Sequence, residues 1–201
     1  MTPSPGQQTS SPPASLRGIL LALLFCALPA TYLFLNKDRI REYWLYLTED
    51  RQAVRLAYTA LSADWTEQRL RERFGHLPLR CTSSSPRHLG DRACAVDVES
   101  HNGIPTVFMT FFFTSGRLSH VSFNVPWWAH ASARRSIESV HGKRVAAQFL
   151  PLSGVRLEGW RLPGGAALFY NSDRSMNPLE WNSIFWSSAE SCASRGCFTP
   201  R

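Results

Sequence analysis

The feature that most constrains this chain is an apolar stretch near its amino terminus. The 18 residues from Gly18 to Leu35 read GILLALLFCALPATYLFL and contain no charged side chain. A helix of that length spans about 27 Å, which is just enough to cross the hydrocarbon layer of a bilayer. Pro29 lies inside the stretch and predicts a kink, which spanning helices tolerate. We therefore predict a transmembrane anchor over residues 17–36 that contacts the lipid bilayer through residues 18–35.

A cleaved signal peptide is the alternative interpretation of the same stretch. The 17 residues before it carry only Arg17 as a charged side chain, whereas a signal peptide begins with a positively charged region. Cleavage after Ala30 would place Leu28 where a small residue is required. A lipoprotein signal ending at Cys26 would likewise place Phe25 at a position that requires a small residue. These departures favour an uncleaved anchor, and the alternative stays open.

The five cysteines indicate the compartment. Cys26 lies in the apolar stretch, and the other four form two local pairs, Cys81 with Cys94 and Cys192 with Cys197. An even set with short loops is typical of disulfides formed in an oxidising compartment. A four-cysteine zinc site is the alternative. Only the second pair approaches the spacing of a zinc knuckle, so we predict disulfides and no metal site.

Charges beside the apolar stretch favour an orientation of the domain opposite to the one that the cysteines indicate. Arg17 and the amino terminus stand on one side, and Lys37, Arg39 and Arg41 stand on the other. That bias alone would keep the large domain inside the cell, but long domains cross a membrane largely regardless of nearby charge. We therefore base the predicted orientation on the cysteines. We expect a single-pass protein of the cell membrane with a cytoplasmic amino terminus and an extracytoplasmic (periplasmic) carboxy-terminal domain.

Composition divides the rest of the chain into three parts. Residues 1–16 are rich in Pro, Ser and Gln, which predicts a disordered tail. Residues 37–48 mix arginines with aromatic residues, which predicts a juxtamembrane helix that either lies at the membrane interface or simply continues into the domain. Residues 49–201 are long enough to bury one hydrophobic core.

Two helices are predicted to begin this domain. An apolar stripe at helical spacing predicts the first, with members Val54, Ala57, Tyr58 and Leu61. Asp64 followed by Glu67 predicts a cap for the second helix, and Gly75 predicts its end.

A β-meander is predicted to follow. Residues 93–101 lead into Asn102-Gly103, a strong hairpin signal, and residues 104–114 form the return strand. Both faces of that return strand are apolar, so we expect a central strand that is covered twice. A turn at residues 114–117 leads to a third strand over 118–125.

The second half repeats this plan. A helix with the apolar residues Ala133, Ile137 and Val140 ends at Gly142 and is followed by strands at 155–162, 166–171 and 179–187. The predicted fold class is α+β: an N-terminal transmembrane helix, then a helix-plus-antiparallel-meander domain. The halves 49–126 and 127–201 would each be one helix-βββ unit of a duplication. This element order resembles that of β-lactamase-inhibitor proteins and of small outer-membrane assembly lipoproteins.

No catalytic motif stands out, and we predict no catalytic residue, no metal and no cofactor. The sequence contains no H-E-x-x-H, no G-x-S-x-G, no phosphate loop and no G-x-G-x-x-G. Asp97 and Glu99 share one face of a strand, a placement more typical of solvated carboxylates than of an acid–base pair. The six histidines lack metal-ligand spacing and are each predicted to lie at the surface: His76, His88, His101, His120, His130 and His141.

The net charge of +7 raises the question of nucleic-acid binding. The basic residues are 20 Arg against 2 Lys and are scattered along the chain. The densest group, Arg69, Arg71 and Arg73, fits the solvated face of a helix. We therefore predict no nucleic-acid partner.

The tryptophans carry the functional hypothesis. Trp127 and Trp128 follow Pro126 at a strand-to-helix junction, where two neighbouring side chains rarely both reach the core. Core packing is one interpretation. Because exposed tryptophan is enriched at interfaces, a partner-contact surface is the other.

Three functions are compatible with these features. The first is a membrane-anchored envelope protein whose outward domain binds or scaffolds another envelope protein. The second is an inhibitor or immunity-type protein that blocks an envelope-directed enzyme or toxin, and the third is an enzyme acting on envelope polymers. The sequence leaves the oligomeric state open.

Overall fold

The structure is a computed structural model that describes residues 16–83, 88–147 and 156–198. Within these ranges the side chains of residues 16, 17, 19–22, 24, 146 and 147 are not described. The predicted tail, except for its last residue, lies outside the described residues. The chain divides into two compact units, Met1–Ile40 and Arg41–Arg201.

Two helices open the described chain. α1 covers Leu16–Leu35 with Pro29 inside it, and α2 covers Lys37–Thr48. Counting the described residues alone, no helix combines the length and the apolar character that a membrane crossing requires.

A small three-stranded sheet follows. β1 (Ala53–Val54) runs parallel to β4 (Ser100–His101), which pairs antiparallel with β5 (Ile104–Pro105). A 3-10 turn at Tyr58–Ala60 continues the chain after β1. Asn102 and Gly103 join β4 to β5 with φ of 51° and 79°, the two positive values that a two-residue hairpin turn requires.

The helix predicted from the stripe at residues 54–61 is wrong. Val54, Leu56 and Tyr58 are buried, whereas Arg55 and Ala57 between them are exposed. That period of two belongs to an extended chain and not to a helix. Leu56, which is only 1% exposed, was not part of the stripe from which the helix was predicted.

Helix α3 covers Glu67–Phe74, and its cap differs from the predicted one. Thr66 is the N-cap, and its hydroxyl accepts a hydrogen bond from the backbone N–H of Arg69 at 3.2 Å. Asp64 lies outside the helix and pairs instead with Arg117 at 2.7 Å. Threonine, like aspartate, is a favoured N-cap residue, so residue type alone does not identify the cap.

The main sheet is antiparallel. Its strands are β2 (Arg80–Thr82), β3 (Arg92–Asp97), β6 (Phe108–Thr114), β7 (Arg117–Val125), β8 (Val145–Ala147), β9 (Leu157–Arg161), β10 (Ala167–Asn171) and β11 (Asn182–Ser187). In the described part of the chain their order is β2-β3-β6-β7-β11-β10-β9-β8. β6 is internal, as predicted, and the α+β class with an antiparallel meander is confirmed.

In the described part of the chain, each half of the domain contributes four strands to this sheet and one helix that precedes them, where three strands were predicted. α4 (His130–His141) precedes the second set and ends at Gly142, whose φ is 75°. The last strands of the two halves, β7 and β11, pair at the centre of the sheet. The prediction missed β2 and β8, which have three residues each and are too short to show a periodic pattern. The duplication itself stays a prediction.

The two faces of the sheet carry separate hydrophobic clusters. The larger cluster packs α3 and α4 against one face, with Leu70, Ala133 and Ile137 among its members. The smaller cluster lies on the other face and includes Phe112, Phe169 and Phe185, together with Cys197. A short helix, α5 (Ala189–Arg195), brings Cys192 against this second cluster.

Both predicted disulfides are present. Cys81 in β2 bonds to Cys94, its direct neighbour in β3, and Cys192 in α5 bonds to Cys197. Cys26 is the free cysteine among the described residues. Disulfides of this kind are typical of an oxidising, extracytoplasmic location.

Candidate functional site

Trp127 is held firmly by the domain. It follows Pro126 in a 3-10 turn, Trp127–Ala129, between β7 and α4. Its indole N–H donates a hydrogen bond to the carbonyl of Ser175 at 2.7 Å, and the guanidinium of Arg174 lies 3.8 Å from the centre of its ring. The side chain is half-buried. These contacts give Trp127 a structural role.

Trp128 is the outer member of the pair. Its side chain is 50% exposed. Its ring covers the rings of Tyr43 and Tyr46 in α2, with centroids at 5.3 and 6.4 Å. Neighbouring residues at this junction therefore point to different environments, as the sequence suggested.

The second half of α2 is fixed to the domain by its tyrosines. The backbone N–H of Trp127 donates to the Tyr43 hydroxyl at 3.2 Å, and the Tyr46 hydroxyl donates to the carbonyl of Glu99 at 2.8 Å. Trp44 and Leu47, one helical turn apart, stay 67% and 68% exposed. We call Trp44, Leu47 and Trp128 the aromatic surface.

The remaining tryptophans of the second half belong to the interior or its rim. Trp160 and Trp186 are 1% exposed and lie in the larger core cluster. Trp181 is half-buried, with its ring 5.1 Å from Phe108 and 6.3 Å from Tyr43. Core packing therefore accounts for most of the tryptophan content, and Trp44 and Trp128 are the exposed exceptions.

A groove of about 980 Å³ lies on another part of the domain. Four chain segments form its walls: the stretch after β1, the hairpin turn between β4 and β5, the last turns of α4, and the end of β9 with the turn that follows it. Its lining combines apolar residues with two arginines and includes Leu56, Ile137, Val140, Arg55 and Arg161. Its volume is in the range typical of ligand sites.

One wall of this groove is a buried polar network. The Tyr58 hydroxyl donates to Nδ1 of His101 at 3.4 Å, and Nε2 of His101 donates to the carbonyl of Leu56 at 2.9 Å. The Asn102 side chain bonds both the N–H and the carbonyl of Leu56, each at 2.9 Å. The segment after β1 is therefore fixed to the hairpin turn by side chains.

Burial keeps the histidine of this network neutral. His101 has no exposed surface, and desolvation lowers its pKa to about 4 although its hydrogen bond to Leu56 acts in the opposite direction. At the end of α4, desolvation also lowers the pKa of His141. The wall is therefore uncharged at neutral pH.

The surface positions predicted for His101, His120 and His130 are wrong. These side chains are 0%, 1% and 6% exposed. Alternation along β7 places His120 on the face of the sheet opposite the larger core cluster. That face carries its own apolar cluster and is not solvated. Nδ1 of His120 donates to the carbonyl of Leu89 at 3.0 Å, and desolvation lowers its pKa to about 4.

The carboxylates and cysteines that could have formed a reactive site have structural partners. Asp97 pairs with Arg80, while Glu99 is exposed. Glu67 lies near Cys81 and Cys94. Their sulfurs are joined in a disulfide and cannot bind a metal as thiolates. Hydrogen bonds from Arg92 and then Arg71 help lower the pKa of Glu67 to about 2, although desolvation acts in the opposite direction.

The arginines of α3 also have local partners. Arg71 pairs with Glu67 at 2.6 Å. The guanidinium groups of Arg69 and Arg73 lie 5.6 and 5.7 Å from the ring of Trp65. Cation–π contacts of this kind stabilise the domain's own surface.

The chain matches no known protein-family model, no curated protein and no solved structure.

Proposed function

We propose that this protein is a membrane-anchored, extracytoplasmic domain that binds another envelope protein through the aromatic surface. The observation that carries the proposal is the exposure of Trp128. Half of its side chain faces solvent, beside a helix that also exposes Trp44 and Leu47. Leaving three large apolar side chains in water is unfavourable, and Trp is the residue most enriched at interface hot spots.

The surrounding contacts support a rigid binding surface. Tyr43 and Tyr46 are hydrogen-bonded to the domain, and Trp127 is held between Ser175 and Arg174. These bonds fix the backbone that carries the aromatic surface, so a partner would meet a preorganised surface, which favours affinity.

The anchor and the compartment belong to the same proposal. Residues 18–35 form an uncharged apolar stretch of 18 residues, and the two disulfides favour an oxidising environment for the domain. We infer that the stretch anchors the chain in the cell membrane with the amino terminus in the cytoplasm and the domain in the periplasm.

Site-specific photo-cross-linking in native membranes tests the proposal. A benzophenone amino acid replaces Trp44, Trp128 or, as the control, the exposed Glu72 on α3. We expect the same protein adduct from positions 44 and 128 and none from position 72. Adducts to lipid alone would show that the aromatic surface contacts the membrane and would refute protein binding, as would equal adducts at all three positions.

A further inference from the structure

We propose that the groove beside β1 binds an extended peptide segment with alternating acidic and apolar side chains. This site is separate from the aromatic surface, and the proposal does not depend on the partner that the aromatic surface binds.

The charge of the groove's lining indicates the charge of its occupant. Arg55 and Arg161 line it, and its described lining includes neither aspartate nor glutamate. Arg55 forms no ion pair with any acidic side chain in the described part of the chain, whereas eight other arginines there do. Arg161 also lines the groove, but its guanidinium lies 4.2 Å from the ring of Phe198, which is not part of the groove's lining. The uncompensated guanidinium of Arg55 therefore favours a carboxylate as its ligand.

The apolar lining indicates what lies between those carboxylates. Ile137 is buried beneath the groove, and Val140, one turn further along α4, is 72% exposed. Ala57 and Pro163 add further apolar surface. An occupant that covered this surface with aliphatic side chains would gain hydrophobic free energy.

The backbone beside the groove favours a peptide over a lipid. β1 is an edge strand of the small sheet, and its other neighbour position is vacant among the described strands. Asn102 N–H bonds the carbonyl of Val54, and the Asn102 side chain bonds Leu56. The backbone of Arg55 between them forms no hydrogen bond with another described residue. An extended peptide can pair with such an edge while its alternate side chains enter the groove.

The test is fluorescence anisotropy with the full-length, oxidised chain in detergent. The probe is a labelled ten-residue peptide of alternating Glu and Val, and the comparison peptide has Lys in place of Glu. We expect the Glu peptide to bind at least tenfold more tightly. Arg55→Glu should weaken its binding at least tenfold. The matched control, Arg135→Glu, introduces the same charge change on the exposed side of α4 and should change binding less than threefold.

Two further measurements make the proposal refutable. Val140→Glu at an exposed position should also weaken binding at least tenfold, and its melting temperature shows whether it folds. Methylation of alternate backbone nitrogens in the probe should abolish binding if the peptide pairs with β1. Equal binding of the Lys peptide, insensitivity to backbone methylation, or full displacement by palmitate would overturn the proposal. Trp128→Ala should leave peptide binding unchanged, so this test is independent of the aromatic surface.

Discussion

The hydroxyl of Tyr58 donates a hydrogen bond to Nδ1 of His101 within the core, 3.4 Å away. The same imidazole donates through Nε2 to the carbonyl of Leu56, so the neutral tautomer satisfies both ring nitrogens. A second proton would place a charge among buried groups and would remove the acceptor for Tyr58. The network is therefore complete only while His101 is neutral.

Stability should fall as the pH falls from 8 to 5. The folded pKa values of His101 and His120 are about 4, below the ordinary value near 6.5. The unfolded chain therefore binds protons in this window that the folded chain does not. We expect each histidine to lower the free energy of unfolding at pH 5 by about 2 kcal/mol relative to pH 8.

Urea unfolding at both pH values measures this effect. His101→Gln and His120→Gln should each flatten the pH dependence, whatever they do to stability at pH 8. His76→Gln is the control, because His76 is exposed, and it should leave the dependence unchanged. A wild-type free energy that is constant across the window would contradict the neutral buried histidines.

Asn102 should contribute more to stability than its place in a turn requires. Asn102 and Ser115 have the same φ, 51°, and each precedes a glycine of positive φ. Only Asn102 uses its side chain to bond the backbone of another segment, at Leu56. We expect Asn102→Ala to destabilise the protein by about 2–3 kcal/mol and Ser115→Ala by about 1 kcal/mol, since only the first leaves backbone groups without partners.

Thermal or urea unfolding of the two variants side by side checks the difference. If both lose the same free energy, the bonds between Asn102 and Leu56 contribute nothing beyond the turn.

Local signals were predictable from the sequence, and contacts between distant segments were not. The turn at Asn102-Gly103 depends on two adjacent residues, so its conformation could be read directly. The burial of His101 depends on a segment more than forty residues earlier in the chain. The apolar stripe in that segment predicted a helix, whereas the segment is extended. The groove is assembled from Arg55, Ile137 and Arg161, which no short window contains. Trp128 was singled out with Trp127, but only the contacts of Ser175 and Arg174 show which of the two is exposed.

The two disulfides should differ in their contribution to stability. The Cys81–Cys94 bond spans 13 positions and the Cys192–Cys197 bond spans 5. Loop-closure entropy predicts about 3 kcal/mol for the first and about 2 kcal/mol for the second. Replacing each pair by serines and measuring urea unfolding at pH 8 tests this order.

Thiol labelling in intact cells tests the oxidising location. With a membrane-impermeant maleimide, the four paired cysteines should react only after reduction. Rapid labelling of all four in lysed cells without a reductant would contradict both the disulfides and the extracytoplasmic location.

The adjacent tryptophans should separate stability from partner binding. Trp127→Ala removes a hydrogen bond, a cation–π contact and a half-buried ring, and we expect it to lower the free energy of unfolding by about 3 kcal/mol. Trp128→Ala removes a half-exposed ring that packs on Tyr43 and Tyr46, and we expect about 1 kcal/mol or less. Recovery of the protein adduct formed from position 44 should nevertheless fall sharply in Trp128→Ala. Arg135→Ala, an exposed change on α4, serves as the control for both measurements. Equal loss of stability in the two tryptophan variants, or undiminished adduct in Trp128→Ala, would mean that Trp128 is only part of the fold.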